Sequence, residues 1–216
     1  MSQDPKKTIY AKQAETVIKN MSRRNIGAVY CDTAAEAIEK IKAIIPKGAM
    51  VGLGGSTTIV ETGLVDALRE MDINLLDRYK EDVSSAEVFE MRKKGLQSDV
   101  FIASANAITR DGKIVCEDGM GNRVAAIIFG PEKVILMVGM NKLVNSVEEG
   151  VKRIRNVAAP WNSIRFGVDT PCSRTGFCDE ENCFPPKRIC GQLVVIEANA
   201  APERYNVVLV GEDLGF

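Results

Sequence analysis

Apolar residues at the start of the chain follow two spacings, one typical of helices and one typical of buried strands. Between residues 7 and 25 they recur every three or four positions, which predicts an amphipathic helix. The short apolar run Gly27–Cys31 predicts a strand, and a second helical pattern follows it until Pro46 ends the helix. The chain therefore opens with a helix, a strand and a second helix.

This alternation of strand and helix continues to residue 104. The apolar runs Met50–Leu53, 73–76 and 99–104 predict strands, and helical patterns at 58–71 and 84–94 lie between them. Consecutive strands joined by helices form mostly parallel sheets, whose two faces the helices cover. We therefore predict an α/β fold with a mostly parallel, doubly wound sheet and helices on both faces.

Beyond residue 104 the pattern is less regular. Residues 109–113 carry a turn signal between two short β-like segments, which predicts a β-hairpin inserted at the edge of the sheet. The later segments are predicted as a helix at 124–129, a strand at 133–138, a helix at 146–158 and two strands at 193–197 and 206–210. The core α/β unit is predicted to end near Pro160.

Residues 161–191 show little periodicity and are rich in proline and cysteine. A segment of this length without regular structure is usually functional or held by cross-links. We therefore predict one domain over residues 1–216 with a cysteine-rich C-terminal segment, whose four cysteines lie between residues 172 and 190.

The charge balance and the residue types exclude several classes of function. The 28 basic and 29 acidic residues nearly cancel and form no long runs, so nucleic acid and anionic membranes are not expected partners. The N-terminal residues are polar, and no stretch approaches the roughly 20 apolar residues that a membrane span needs. We expect a cytoplasmic protein without a membrane span. The sequence contains no histidine, which excludes Ser-His-Asp and Cys-His catalytic units.

A glycine-rich loop follows the predicted strand Met50–Leu53 and leads into a helix. Its candidate ligand-binding residues are Gly52, Gly54, Gly55, Ser56, Thr57 and Thr58. Glycines let backbone amides face a ligand, and the start of a helix adds partial positive charge, so the expected ligand is a phosphate or a carboxylate. The loop lacks the full nucleotide-binding motifs, and a tight turn capped by Ser56 or Thr57 is the alternative interpretation.

Five further polar residues lie at predicted strand ends or in adjoining loops, where open α/β sheets place their ligands. Asn106 and Asn122 are candidate ligand-binding residues, and Lys142 is expected to pair with a substrate carboxylate. Glu117 and Asp118 are candidates for a base or a nucleophile. The alternative is that these residues cap turns and hold the hairpin together.

Four cysteines are concentrated in the irregular segment, with five, four and six residues between successive thiols. They are Cys172, Cys178, Cys183 and Cys190. Four thiolates in one short segment predict a [4Fe-4S] cluster or a tetrahedral zinc ion as the cofactor. Disulfides or unpaired thiols are the alternatives, and disulfides seldom persist in a reducing cytoplasm. Cys31 stands apart and is predicted to be a buried small apolar residue.

Several motifs resemble known families. The loop at 52–57 resembles the Gly-x-Gly-x-Gly-Ser-Thr loop of sugar-phosphate isomerases and CoA transferases, with the third glycine one position earlier. Further motifs resemble the lactate-utilisation (LUD) domain family, and the resemblance spans roughly residues 10 to 215. These motifs are SANAITRDG at 104–112, GNRVA at 121–125, FGP at 129–131, VGMNK at 138–142 and GEDLGF at 211–216.

This resemblance implies a fold like that of ribose-5-phosphate isomerase and CoA transferases. It also implies a role in the oxidation of L-lactate or a related 2-hydroxy acid beside iron–sulfur partner proteins, so it favours an iron–sulfur cluster over zinc. The expected small-molecule partner is an anion: a carboxylate, a phosphate or a CoA ester. The alternatives are an isomerase or acyl-transfer enzyme that uses Glu117 or Asp118 with Lys142, and a non-catalytic ligand-binding subunit.

Overall fold

The structure is a computed structural model that describes residues 4–216. Its strands are β1 Gly27–Cys31, β2 Met50–Leu53, β3 Asn74–Leu76, β4 Val100–Ala103, β5 Ala107–Thr109, β6 Ile114–Asp118, β7 Lys133–Gly139, β8 Leu143–Val144, β9 Gln192–Ile196 and β10 Tyr205–Val210. Its α-helices are α1 Pro5–Arg23, α2 Ala34–Ile44, α3 Thr57–Glu61, α4 Leu64–Arg69, α5 Ser85–Lys94, α6 Asn122–Ile128, α7 Val147–Arg153, α8 Ala159–Arg165 and α9 Pro171–Thr175.

Six strands form the central sheet in the order β1-β10-β7-β4-β2-β3, and every neighbouring pair is parallel. Strand β7 is continuously apolar because its side chains pack on both faces of the sheet. Val134, Leu136 and Val138 pack in one hydrophobic cluster with α1 and α6, whereas Ile135 and Met137 pack in the other with α2, α3 and α4. The predicted parallel α/β sheet with helices on both faces is confirmed.

The predicted hairpin exists as the antiparallel pair β5 and β6, but it does not lie at the edge of the central sheet. It forms the middle of a second, four-stranded sheet with the order β8-β5-β6-β9. The segment predicted as a strand at 193–197 is β9 of this sheet. Ile108 and Ile114 pack toward the central sheet, while Ala107 and Val115 pack against Ile154 on the outer side. Both faces of the second sheet are therefore covered.

Two predicted helices have different limits in the structure. The helix predicted at 58–71 is divided into α3 and α4 by Gly63, whose φ of 77° belongs to the left-handed region that favours glycine. The helix predicted at 146–158 continues through a π-helical turn at Ile154–Ala158 into α8, which ends at Arg165. Pro160 does not end the helical segment, because it lies in the first turn of α8, where no backbone N–H is needed.

The arrangement of the strands creates a crevice between β2 and β4. From β2 the chain moves outward to β3, whereas from β4 it moves in the opposite direction to β7 and β10. Ligands of open α/β sheets bind at such a reversal, beyond the carboxyl ends of the strands. The glycine-rich loop leaves β2 at this point, and residues 104–106 leave β4 beside it. Within the described residues, no helix has both the length and the apolar character needed to cross a bilayer.

Candidate functional site

The glycine-rich loop runs across the carboxyl edge of the central sheet. The Gly54 N–H donates a hydrogen bond to the Ile102 carbonyl over 2.8 Å. The Tyr79 hydroxyl braces the loop, because it donates to the Gly54 carbonyl over 2.9 Å and accepts from the Ser56 N–H over 3.0 Å. Ser56 is the N-cap residue that precedes α3, but it makes no side-chain capping hydrogen bond. The loop is therefore held by Tyr79 rather than by a helix cap.

The glycines of this loop have different environments. A Cβ atom on Gly54 would lie 2.8 Å from the Ala103 Cβ, so Gly54 is required by packing against β4. A Cβ atom on Gly52 would lie 2.9 Å from the Ser98 Oγ, also inside the fold. A Cβ atom on Gly55, in contrast, would lie 3.4 Å from the Arg78 guanidinium, in the crevice. Of the three predicted ligand-binding glycines, Gly55 is the one that faces the crevice.

A small polar cavity of about 30 Å³ lies against the loop. The buried Lys142 reaches it from the end of β7, and its Nζ donates to the Thr58 Oγ1 over 2.7 Å and to the Ser104 Oγ over 3.2 Å. The Thr57 Oγ1 is buried beside the same cavity without a hydrogen-bond partner among the described residues. A cavity of this size holds one or two waters, or one compact polar group. Three predicted site residues therefore meet here.

The Lys142 ammonium is in an unfavourable position for a positive charge. Burial, together with the smaller effect of the Arg153 and Arg123 guanidinium groups, lowers the pKa of this group to about 7. The acidic groups of Glu61 and Cys116 oppose this effect. An anion in the adjoining cavity would stabilise the charged form of Lys142.

A larger cavity of about 300 Å³ continues outward from the small one. The two cavities share Gly55, Asn106, Arg123, Asn162 and Arg165 in their walls, so they adjoin each other. The predicted site residues Glu117, Asp118 and Asn122 also border the larger cavity. We call the two cavities together the anion cleft.

Three arginines that the sequence analysis did not select line the anion cleft: Arg78, Arg92 and Arg165. None of them forms an ion pair with a carboxylate within residues 4–216. Burial lowers the pKa of Arg78, and the charges of Arg92 and Arg165 add to this effect against the influence of Tyr79. The Nε of Arg92 is buried and has no hydrogen-bond partner in the described structure. A bound anion would offset the repulsion between these three guanidinium groups.

A buried network around Arg123 holds the floor of the anion cleft. Arg123 donates to the Asp118 carboxylate over 2.9 Å, to the Ser104 carbonyl over 2.8 Å, to the Asn106 Oδ1 over 2.6 Å and to the Glu117 carbonyl over 3.1 Å. Asn106 Oδ1 also accepts from the Glu117 N–H over 2.9 Å. Asn106 is therefore engaged through its oxygen, and its predicted role in ligand binding stays a prediction.

The two candidate carboxylates are held by different partners. Asp118 Oδ2 accepts the backbone N–H groups of Arg123 and Val124 over 2.8 and 2.9 Å at the start of α6. Two N–H groups of the Arg155 guanidinium donate hydrogen bonds to the two oxygens of the Glu117 carboxylate, over 2.9 and 3.2 Å. Burial nevertheless raises the pKa of the Glu117 carboxyl, against the opposing influence of Arg155. Both carboxylates therefore make structural contacts of the kind that the alternative interpretation expects. Their catalytic roles stay predictions.

The four cysteines of the irregular segment line one further cavity, of about 20 Å³. They are Cys172, Cys178, Cys183 and Cys190, all present as free thiols. The buried Cys172 contacts the Thr170 Oγ1 at 3.1 Å and the Ser163 Oγ at 3.5 Å. Burial and the nearby Glu117 raise the pKa of Cys190 to about 12, against the opposing influence of Arg155. Within residues 4–216, no three His, Cys, Asp or Glu side chains are arranged around a point that could hold a single metal ion. Cys31 is buried in the core, as predicted.

The cysteine cavity and the anion cleft adjoin each other. Ala159, Ile189 and Cys190 belong to the walls of both. Arg155 connects them electrostatically, because its guanidinium binds Glu117 at the cleft and Glu180 beside the cysteines. The π-helical turn Ile154–Ala158 positions Arg155, and π-turns of this kind are frequent at functional sites.

Comparisons with known proteins bear on the family and the fold of this chain. The sequence profile of the LUD domain matches residues 14–210. The crystal structure of a DUF162 family protein from Deinococcus radiodurans is similar in fold, with a TM-score of 0.51 and 17% sequence identity. The match covers 94% of this chain and 98% of that chain. No curated protein matches the sequence.

Proposed function

The chain belongs to the LUD domain family and is a lactate-utilisation-type protein, and we propose that it takes part in the oxidation of L-lactate or another 2-hydroxy acid. In this proposal the anion cleft binds the organic anion, and the four cysteines beside it hold a redox centre. Oxidation of a 2-hydroxy acid to a 2-oxo acid releases two electrons and two protons. Iron–sulfur partner proteins would accept the two electrons and solvent would accept both protons, while the Lys142 ammonium would pair with the substrate carboxylate.

The observation that carries this proposal is the common wall of the anion cleft and the cysteine cavity. Cys190 lines both cavities, so an anion held by the arginines would lie beside a cysteine of the proposed redox centre. The charge of the cleft supports an anionic substrate, because Arg78, Arg92 and Arg165 have no carboxylate partner within the described chain. Binding of the anion and electron transfer would then take place within one continuous region.

The residues around the cysteine cavity fit an iron–sulfur cluster. The donor set consists of four thiols in one cavity, and a [4Fe-4S] cluster uses four cysteine thiolates. The guanidinium groups of Arg155 and Arg188 border the cavity and would stabilise a negatively charged cluster. A tetrahedral zinc ion would use the same four thiolates, and the metal content of the purified protein distinguishes the two. When bound, the cluster would supply one-electron transfer.

We expect Cys178→Ala to abolish this centre. Protein purified without oxygen should be brown and contain about four irons per chain, because four cysteine ligands hold one such cluster. The variant should lose the visible absorbance and nearly all of the iron. The matched control is Cys31→Ala, since Cys31 is buried outside the segment and should not affect the iron content. Equal iron in both variants, or a colourless protein with zinc, would contradict a redox centre at these cysteines.

We expect Arg78→Gln to weaken anion binding at least tenfold without loss of stability. The substitution removes one of three mutually repelling charges that line the cleft. Titration calorimetry with L-lactate and its 2-oxo product would measure the affinity, and thermal unfolding would measure the stability. Arg174→Ala is the control, because Arg174 forms an exposed ion pair with Asp169 away from the cleft. If both variants bind these acids as the unmodified protein does, the arginines are not the binding site.

A second candidate function is acyl transfer between CoA esters. The position of Glu117 favours it, because this carboxylate borders the anion cleft. Glu117 would act as the nucleophile, as the resemblance to CoA transferases implies. CoA-ester exchange that Glu117→Gln abolishes, in a protein without iron, would favour this function over the redox proposal.

A further inference from the structure

We propose that the ligand of the anion cleft is larger than L-lactate and carries two separate anionic groups joined by an apolar body. One group would occupy the small cavity at Lys142, and the other would bind the three arginines. This inference rests on the proposed function, since it specifies the class of anion that the same cleft binds.

The first argument is the size of the anion cleft. Cavities of roughly 300 to 1,000 Å³ accommodate ligands much larger than a three-carbon acid. The larger cavity alone has about 300 Å³, and the small cavity adds about 30 Å³. L-lactate would leave most of this space filled with water. The observed shape fits a molecule with a compact end and a larger body.

The second argument is that positive charge lies at two places in the cleft. Lys142 borders the small cavity only, Arg78 and Arg92 border the larger cavity only, and Arg165 borders both. Each place also contains a buried polar atom that lacks a hydrogen-bond partner in the described chain. These atoms are the Thr57 Oγ1 in the small cavity and the Arg92 Nε at the larger one. Buried polar groups are nearly always satisfied in native proteins, so each place offers a hydrogen-bond partner to a polar group of the ligand.

The third argument is the apolar wall of the larger cavity. Met120, Ile154, Phe166 and Ile189 contribute to it, and most of the exposed lining is apolar. An aromatic ring or an aliphatic chain packs well on such a wall, whereas a short hydroxy acid offers it little surface. The cleft is therefore built for a molecule with two charged ends and an apolar middle.

The test compares ligands that differ only in the number of anionic groups. 4-Carboxyphenyl phosphate carries a carboxylate and a phosphate on one ring, and benzoate and phenyl phosphate each lack one of them. We expect the compound with both groups to bind at least tenfold more tightly than either single-headed compound or L-lactate, as measured by titration calorimetry. A long aliphatic dicarboxylate, compared with the matching monocarboxylate, shows whether one of the two anionic groups needs to be a phosphate.

Two variants assign the ends of the ligand. Lys142→Met should weaken the ligands whose anionic group enters the small cavity, and Arg78→Gln should weaken those bound at the arginines. Both substitutions should weaken binding of the compound with two anionic groups. Only one of them should weaken binding of a compound with a single anionic group. Equal affinity for L-lactate and the larger compound would overturn the inference and leave the proposed function intact. If none of the anions binds, both the inference and anion binding in the cleft are wrong.

Discussion

Replacing Arg123 with methionine should lower the free energy of unfolding by about 3 to 5 kcal/mol, because it leaves a buried partner charge uncompensated. Arg123 is 9% exposed, and it forms an ion pair with the Asp118 carboxylate, whose side chain is also 9% exposed. Methionine has a similar length but cannot donate hydrogen bonds. The Asp118 carboxylate would lose its ion-pair partner and keep only its two backbone N–H donors, and the carbonyls of Ser104 and Glu117 would lose the guanidinium. Urea denaturation measures this change directly.

The control for this prediction is again Arg174→Ala. Arg174 also pairs with an aspartate, but its side chain is 58% exposed, and exposed ion pairs contribute about 0 to 1 kcal/mol. A loss in Arg123→Met no greater than that in Arg174→Ala would show that the buried network does not stabilise the fold. The variant should also lose binding in the cleft, because Asn106 and residues 117 and 118 meet at Arg123.

Replacing Lys142 with methionine should raise the stability of the protein below neutral pH by an amount of the order of a few kcal/mol. The folded-state pKa of Lys142 is about 7, whereas that of an exposed lysine is about 10.4. Between these two values the unfolded chain binds more protons than the folded chain. The stability of the unmodified protein therefore rises as the pH increases from 7 toward 10. Below pH 7 both states are charged, and the full cost of burying the ammonium is present.

The expected signature is the pH dependence of the difference between the two proteins. Urea denaturation at several pH values should show the largest advantage of Lys142→Met at pH 6 and a shrinking advantage toward pH 10. The loss of the bonds to Thr58 and Ser104 adds a constant offset at all pH values. Lys113→Met is a suitable control, because the partner Glu197 raises the pKa of this partly buried lysine instead. A difference that does not change with pH would show that folding does not lower the pKa of Lys142.

The central sheet could be predicted from the sequence because its strands are buried on both faces. All residues of β7 after Lys133 are buried, so the run is continuously apolar and easily recognised. The glycine-rich loop was identified for a similar reason, since it directly follows such a strand. These patterns depend only on residues that lie close together in the sequence, so they can be recognised without knowledge of the fold.

The second sheet could not be predicted in the same way. Strands β5 and β8 have three and two residues, which is too short for a recognisable alternation. The pairing of β6 with β9 joins Ile114 to Ile196, two positions that are remote in the sequence. The predicted position of the hairpin at the edge of the central sheet was wrong because nothing local indicates which strand will be its neighbour.

The sequence by itself determined the element types, the family motifs and the set of four cysteines, because each of these depends on residue identity and local spacing. Only the tertiary structure decided which charged side chains lie without a partner of opposite charge among the described residues. Arg78, Arg92 and Arg165 resemble ordinary surface arginines in the sequence, yet folding brings them together in one cleft without a carboxylate among the described residues. The structure also decided that Cys190 lines both the anion cleft and the cysteine cavity. Burial and proximity arise from long-range packing, and a linear pattern contains no direct record of them.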